Sequence, residues 1–188
     1  MLRKKRILFR VPKIMNEKNS PEKDFKSGFI SILGRPNVGK STLLNNLIGY
    51  KISIVTHKQQ TTRSRIAGVL TGKDFQAIFI DTPGINTGKQ PLNKLLTKSA
   101  YSVLTEVDIN LVLVDASAVK EFEQEIFKEV LRRKRPAILV INKMDLVKKE
   151  LLFQQIENLS RNFKFDEIVP ISALKSQNTE TLLNVIKK

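Results

Sequence analysis

A glycine-rich turn between a strand pattern and a helix pattern constrains the fold of this chain more than any other feature. Residues 34–42 read GRPNVGKST and fit the motif G-x-x-x-x-G-K-[ST]. An apolar strand is predicted at 29–33, and a helix is predicted to begin around Lys40. In this arrangement successive backbone N–H groups and the helix N-terminus make a concave site for anions. The sequence therefore predicts a phosphate-binding loop at 34–42, called the phosphate loop below.

The residue types in the phosphate loop have separate tasks. Glycines let the backbone approach the phosphates, the Lys40 ammonium reaches the outer phosphates, and the Ser41 hydroxyl is a ligand for Mg2+. A chance glycine turn is the alternative, and the strand before it and the helix after it argue against that alternative. We predict that seven residues of this loop bind nucleotide: Gly34, Asn37, Val38, Gly39, Lys40, Ser41 and Thr42.

Composition limits the size and the partners of the protein. The 188 residues suffice for one well-buried domain, and no apolar run approaches the roughly eighteen residues that span a bilayer, so we expect a soluble or at most peripheral protein. The absence of cysteine excludes disulfides and thiolate chemistry and suits a reducing cytosol. The formal net charge of +15 favours an anionic partner, either nucleic acid or an acidic membrane surface, although a basic solvated surface would give the same charge.

Residues 1–26 differ from the rest of the chain because they are basic and then polar, with no sustained apolar periodicity. We expect a disordered basic arm, which could contact RNA or anionic lipid or belong to a targeting peptide. Residues 27–188 are predicted to form a single nucleotide-binding domain.

Alternating strand and helix patterns predict an α/β fold, with a six-stranded, mostly parallel sheet and about five helices on both faces. One strand is antiparallel, because the turn 71–74 joins two neighbouring strands as a hairpin. The predicted strands are 29–33, 66–71, 75–81, 109–114, 137–141 and 167–171, and the predicted helices are 40–48, 92–104, 119–134, 150–163 and 178–186.

The sequence DTPG at 81–84 follows a predicted strand and points to phosphate and magnesium chemistry. Asp81 is placed to hold Mg2+ through water, and the backbone N–H of Gly84 is placed to face a terminal phosphate. An ordinary turn is the alternative reading, since proline and glycine are common in turns.

Two further segments predict recognition of guanine. Asp145, in the sequence NKMD at 142–145, can accept hydrogen bonds from the ring N–H and the exocyclic amino group of guanine, whereas adenine lacks that amino group. The stem of Lys143 can cover the face of the base, and Asn142 can tie this loop to the phosphate loop. Backbone N–H groups for the guanine carbonyl are predicted to come from Ser172, Ala173 and Leu174.

The forward order of these motifs, each at the carboxyl end of a predicted strand, resembles the GTP-binding proteins of the translation-factor class and implies a P-loop NTPase fold. Within that class the sequence is similar to the Era-type GTPases in segments 34–49, 51–69, 80–85 and 98–117. The related EngA and TrmE families usually have aspartate after the Thr62-Arg63 pair, where this sequence has Ser64.

This resemblance implies a GTP-hydrolysing switch in small ribosomal subunit assembly, which binds GTP or GDP with Mg2+ and contacts small-subunit rRNA. It implies a cytoplasmic protein, with an organelle or peripheral membrane contact as other settings. Era proteins carry a C-terminal RNA-binding KH domain, and we expect this sequence to represent the GTPase domain without it. The alternatives are a nucleotide-gated module that binds RNA or membrane with negligible hydrolysis, and a G domain of the EngA or TrmE families.

The resemblance also assigns switch residues. Thr62 would complete Mg2+ coordination when the γ-phosphate is bound, with Thr61 as the near alternative. The predicted catalytic set is Lys40, Thr62 and Gly84, and the predicted metal ligands are Ser41, Thr62 and Asp81. Ile85 stands where Ras-like enzymes have a water-orienting glutamine, so we expect slow hydrolysis in isolation. In several relatives an asparagine at the position of Asn37 binds K+, which makes K+ a further candidate ion.

Overall fold

The computed structural model describes residues 25–49, 65–81, 104–117, 119 and 121–188. The strands are β1 (Lys26–Leu33), β2 (Arg65–Thr71), β3 (Phe75–Asp81), β4 (Ile109–Asp115), β5 (Ala137–Asn142) and β6 (Glu167–Pro170). The described helices are α1 (Lys40–Gly49), α2 (Glu121–Arg132), α3 (Lys149–Asn162) and α4 (Thr179–Ile186), with a short 3-10 helix at Met144–Leu146.

The six strands form one sheet in the order β2-β3-β1-β4-β5-β6. The β2–β3 pair is antiparallel, and every other neighbouring pair is parallel. This arrangement confirms the predicted mixed α/β sheet with one reversed strand. Because β1, β3, β4, β5 and β6 are parallel, their carboxyl ends meet at one edge of the sheet.

Helices cover both faces of the sheet, and each face has its own apolar core. Strand β5 is buried along its whole length, as expected for a central strand between two helical layers. On one face α1 contributes Leu43 and Leu47, and α4 contributes Leu182 and Ile186. On the other face the core residues from the helices are Ile126, Phe127 and Val130 of α2 and Leu159 of α3.

The predicted helix 119–134 is shorter in the structure, where α2 ends at Arg132. The backbone N–H groups of Arg133 and Lys134 bond three residues back, to Val130 and Leu131, and Lys134 has a φ of 53°. A left-handed residue cannot continue an α-helix, so α2 closes before Pro136 is reached. The strand predicted at 29–33 is longer and begins at Lys26, because it pairs with β3 from Phe75 onward.

Several predictions fall outside the described residues: the basic arm over 1–24, the loops 51–64 and 82–91, and the helix at 92–104 apart from Leu104. Leu104 itself is buried in the core beside α2. Among the helices that the structure describes, none has the length and apolar character needed to cross a membrane.

Candidate functional site

The chemistry-bearing segments meet at the carboxyl edge of the sheet. The phosphate loop follows β1, and the last residue of β3, Asp81, pairs in register with Ile32 of β1. The ends of β4 and β5 also meet there, because Asp115 pairs with Asn142. The sheet therefore brings together motifs that are far apart in the sequence, as the strand-end rule predicts for open α/β sheets.

The two motif glycines of the phosphate loop have conformations and surroundings that suit glycine alone. Gly34 has a φ of +151°, and a Cβ there would lie 2.5 Å from the carbonyl oxygen of Leu113 on β4. Gly39 has a φ of +99°, and a Cβ there would lie 2.2 Å from the side-chain nitrogen of Asn142. Asn37, at the tip of the loop, is also left-handed with a φ of 65°. The backbone thus curls tightly, which suits an anion-binding concavity.

Lys40 turns back over the phosphate loop. Its ammonium donates hydrogen bonds to the carbonyl oxygens of Gly34 and Arg35, both at 2.8 Å. Ser41 and Thr42 follow it in the exposed first turn of α1, whereas Val38 is buried. A half-buried ammonium is a suitable hydrogen-bond donor to phosphate. An exposed hydroxyl at a helix N-terminus is a suitable ligand for Mg2+.

Asn142 connects the phosphate loop to the turn after β6. Its side-chain amide donates to the carbonyl of Val38 at 2.8 Å, and its Oδ1 accepts a bond from the backbone N–H of Ala173 at 2.9 Å. The residue is 3% exposed, so both bonds lie in the interior, where an unmade hydrogen bond is costly. The link between the two loops that the sequence predicted for Asn142 is present.

The Asp145 side chain contacts the turn after β6. Its carboxylate pairs with the Lys175 ammonium at 3.2 Å, and its side chain is only 8% exposed. A hydrogen bond from the buried Ser172 hydroxyl lowers the pKa of Asp145, and Lys175 lowers it further against the opposing effect of burial. The Ser172 oxygen also accepts the backbone N–H of Lys175 at 3.2 Å. The Asp145 carboxylate is therefore held charged and oriented.

The three predicted backbone donors at 172–174 differ in availability. The N–H of Ser172 bonds the carbonyl of Gln177 at 3.1 Å, and the N–H of Ala173 is taken by Asn142. The N–H of Leu174 makes no hydrogen bond to any residue that the structure describes, and its side chain is 81% exposed. Leu174 is therefore the donor of the three that is open to a ligand.

Sequence reasoning missed Asp115, which holds Lys143. The Lys143 ammonium lies 2.7 Å from the Asp115 carboxylate. The Asp115 carboxylate also accepts bonds from the Ser117 backbone at 2.9 Å and the Ser117 hydroxyl at 2.7 Å. Burial raises the pKa of Asp115, but the bonds from Lys143 and Ser117 outweigh it, so that pKa lies below its ordinary value. The signal was available, since Asp115 ends a buried strand just as Asp81 does.

The remaining predicted metal and catalytic positions are not all described. Thr62 and Gly84 lie outside the described residues, and Asp81 is described only through its backbone at the end of β3. Within the ranges that the structure covers, no group of three or more histidine, aspartate or glutamate residues is placed to hold a metal ion. Of the predicted magnesium ligands, Ser41 is the one whose side chain the structure describes.

Comparison with known proteins finds a matching family model and similar proteins. A family model described as 50S ribosome-binding GTPase matches residues 29–143. The GTPase Era of Geotalea uraniireducens (strain Rf4) is 48% identical over 166 residues, which cover 88% of this chain and 56% of that protein.

Two solved Era structures match as well. The structure of an Aquifex aeolicus Era variant bound to GDP·AlF4− has a TM-score of 0.71 and 40% identity, covering 86% of this chain and 56% of the other. An Era complex with MgGDPNP and nucleotides 1506–1542 of 16S ribosomal RNA has a TM-score of 0.72 and 40% identity, with the same coverages of 86% and 56%. The chain spans just over half the length of these Era relatives. It belongs to the 50S ribosome-binding GTPase family, and its predicted resemblance to the Era-type GTPases is confirmed.

Proposed function

We propose that this chain is the nucleotide-binding part of an Era-type switch, which binds GTP and GDP with Mg2+ and hydrolyses GTP. The proposal rests mainly on two hydrogen bonds of the Asn142 side chain. Together these bonds join the phosphate loop to the turn at 172–174. This link holds the loop of Lys40 in a fixed relation to the turn that surrounds Asp145. A ligand with both a phosphate chain and a base fits such a site at the strand ends. Under the proposal residues 27–188 form this domain.

Guanine selection rests on Asp145. Its carboxylate accepts the ring N–H and the exocyclic amino group of guanine, whereas adenine would leave a nearly buried carboxylate without a partner. Ser172 keeps the carboxylate charged and oriented, and the N–H of Leu174 donates to the guanine carbonyl. The stem of Lys143, held by Asp115, covers the face of the base.

The phosphates and the metal ion occupy the other half of the site. The backbone N–H groups of the phosphate loop and the Lys40 ammonium bind the phosphates. Mg2+ is held by the hydroxyls of Ser41 and Thr62 and, through water, by Asp81. The N–H of Gly84 faces the terminal phosphate. Hydrolysis is slow in isolation, because Ile85 next to Gly84 cannot orient the attacking water.

K+ is proposed as a further ion beside Asn37. The left-handed Asn37 stands exposed at the tip of the phosphate loop, where a cation would offset charge between the phosphates. We expect GTP turnover to be faster in KCl than in NaCl at equal ionic strength, and we expect Asn37→Ala to remove the difference. Equal rates of the parent chain in the two salts would contradict this assignment.

The relatives and the net charge support a proposed cellular role. The matching Era structure contains 16S ribosomal RNA, which belongs to the small subunit, whereas the family description refers to the 50S subunit. The likeness to Era favours the small ribosomal subunit and its rRNA as partners, and the net charge of +15 supports an RNA partner. We propose a cytoplasmic site of action, with residues 1–26 as a basic arm that contacts rRNA or an anionic membrane surface.

The base assignment is tested with Asp145→Asn. The amide cannot accept both guanine N–H groups, but it can donate to the second carbonyl of xanthine. GDP affinity should fall by about a hundredfold or more while xanthosine diphosphate affinity rises. Asp74→Asn is the matched control, because Asp74 is exposed in the hairpin at the opposite edge of the sheet. Unchanged GDP affinity in Asp145→Asn would refute the assignment.

A second candidate is a nucleotide-gated module that binds RNA or membrane with negligible hydrolysis, and Ile85 together with the basic charge favours it. GTP turnover by the purified chain, measured with and without small-subunit rRNA, separates the two functions. Turnover that rises with rRNA supports the switch enzyme. GTP-dependent RNA binding without turnover under either condition supports the module.

A further inference from the structure

An ion pair joins the phosphate loop to helix α2. Arg35, the second residue of the loop, donates from Nε to the Glu123 carboxylate at 2.8 Å. The two residues are 88 positions apart. Among the described residues, the other arginine–glutamate pairs join residues only three or four positions apart, Glu129 to Arg132 and Arg133, and Glu157 to Arg161. The Arg35–Glu123 pair therefore connects two separate elements of the fold.

The burial of this pair is uneven. The side chain of Glu123 is 1% exposed, whereas that of Arg35 is 23% exposed. A carboxylate withdrawn from water to this degree needs compensating donors, since an uncompensated buried charge is strongly destabilising. Glu123 also lies in the first turn of α2, where the helix dipole favours negative charge. The carboxylate is therefore a fixed anchor for the guanidinium.

Helix α2 provides a rigid base for this anchor. Ile126, Phe127 and Val130 are at most 1% exposed and pack in the core beneath the sheet. The ring of Phe127 makes edge-to-face contacts with the rings of Phe163 and Phe165, whose centroids are 5.0 and 5.3 Å away. A side chain attached to such a helix has little freedom to shift.

Arg35, the residue of the pair that lies in the phosphate loop, also contacts Lys40. The carbonyl of Arg35 accepts a bond from the Lys40 ammonium at 2.8 Å, as does the carbonyl of Gly34. Gly34 has no side chain with which to hold this part of the loop. The Arg35 side chain, through its bond to Glu123, therefore holds the backbone whose carbonyls accept the Lys40 hydrogen bonds.

We propose that Glu123 is a positioning residue for phosphate binding, which acts through the Arg35 side chain on the backbone that holds Lys40. The inference rests on the proposed nucleotide function. Loss of the ion pair should lower the affinity of a ligand more when the ligand places more phosphates in the loop. It should leave recognition of the base unchanged.

Glu123→Gln tests this inference, because glutamine keeps the shape of the side chain and removes its charge. Binding of GMP and GDP is measured by calorimetry in the full chain with Mg2+. We expect the Kd for GDP to rise roughly twofold to thirtyfold, with a smaller change for GMP. Glu129→Gln is the matched control. Glu129 lies on the same helix, away from the loop, and its carboxylate pairs with Arg133 just after the helix ends. That control should leave both Kd values unchanged.

The double variant Arg35→Gln/Glu123→Gln supplies the second arm and removes both charges together. It should cost GDP affinity no more than Glu123→Gln alone, because both variants remove the same interaction. Equal losses of GMP and GDP affinity, or no loss in either variant, would overturn the inference. Failure of the parent chain to bind GDP would instead overturn the proposed function.

Discussion

The side-chain amide of Asn142 donates to the carbonyl of Val38 at 2.8 Å, although 104 positions separate the two residues in the sequence. The same side chain accepts the N–H of Ala173 at 2.9 Å, so one buried amide links the phosphate loop, the end of β5 and the turn after β6. Under the proposed function, we expect nucleotide affinity and the stability of the domain to be coupled through Asn142, because the same two bonds would serve both.

Replacing Asn142 by alanine should weaken both properties. The change leaves the Val38 carbonyl and the Ala173 N–H without their present partner in the interior, and we expect the free energy of unfolding to fall by about 2 to 4 kcal/mol. GDP affinity should fall as well, because the two halves of the site lose their connection. Urea denaturation and calorimetry measure the two effects. Asn162→Ala, at an exposed asparagine on α3, is the control and should change neither.

A methyl group at Gly39 should disrupt the loop at the same contact. Alanine there would force a φ of +99° on an L-residue and would place its Cβ 2.2 Å from the Asn142 amide nitrogen. We expect Gly39→Ala to destabilise the fold by about 2 kcal/mol or more and to abolish tight GDP binding. Gly49→Ala is the matched control, because Gly49 ends α1 and no atom of the described residues lies within 4 Å of an added Cβ. That control should be neutral or stabilising by up to about 1 kcal/mol, and equal effects of the two changes would contradict this account.

The parts of the site that the sequence predicted are those that depend on local pattern and strand order. The phosphate loop needs only a strand, a turn and a helix, and the placement of Asp145 needs only that parallel strands end at one edge. The Arg35–Glu123 pair could not be predicted in this way. Glu125 on the same helix is exposed and belongs to the same run of charged residues, and only tertiary packing buries Glu123.

Backbone conformation limited the prediction in other places. Lys134 is left-handed without being glycine or asparagine, so nothing in the residue type indicated that α2 would end before it. The availability of backbone donors at 172–174 was also hidden, because it depends on which N–H groups the turn and Asn142 use internally. Local pattern therefore placed the turn correctly without ranking its donors.

The Ser172 hydroxyl should control how well the site distinguishes guanine. Ser172→Ala removes the donor that lowers the pKa of Asp145, so the carboxylate loses its main orienting bond. We expect GDP affinity to fall roughly tenfold. The preference for GDP over inosine diphosphate, which lacks the exocyclic amino group, should shrink because a misoriented carboxylate gains less from that group. Competition binding with the two nucleotides measures the ratio, and a lower affinity at an unchanged ratio would count against an orienting role.

The last prediction concerns the dependence of stability on pH through Asp115. Its pKa in the folded chain lies below the ordinary value of 3.8, because bonds from Lys143 and Ser117 outweigh burial. A lowered folded-state pKa means that the carboxylate stabilises the fold above the unfolded-state pKa, and that this stabilisation is lost as the pH falls through the folded-state pKa.

Asp115→Asn should therefore reduce the free energy of unfolding by about 1 kcal/mol, by an amount that stays constant between about pH 7 and pH 5 and shrinks below about pH 4. Urea denaturation of the parent chain and the variant across this range measures the difference. Glu157→Gln is the control, since the Glu157–Arg161 pair on α3 is largely exposed and should contribute little at any pH. A difference that grows as the pH falls would show that the Asp115 carboxylate destabilises the fold, contrary to the geometry around Lys143.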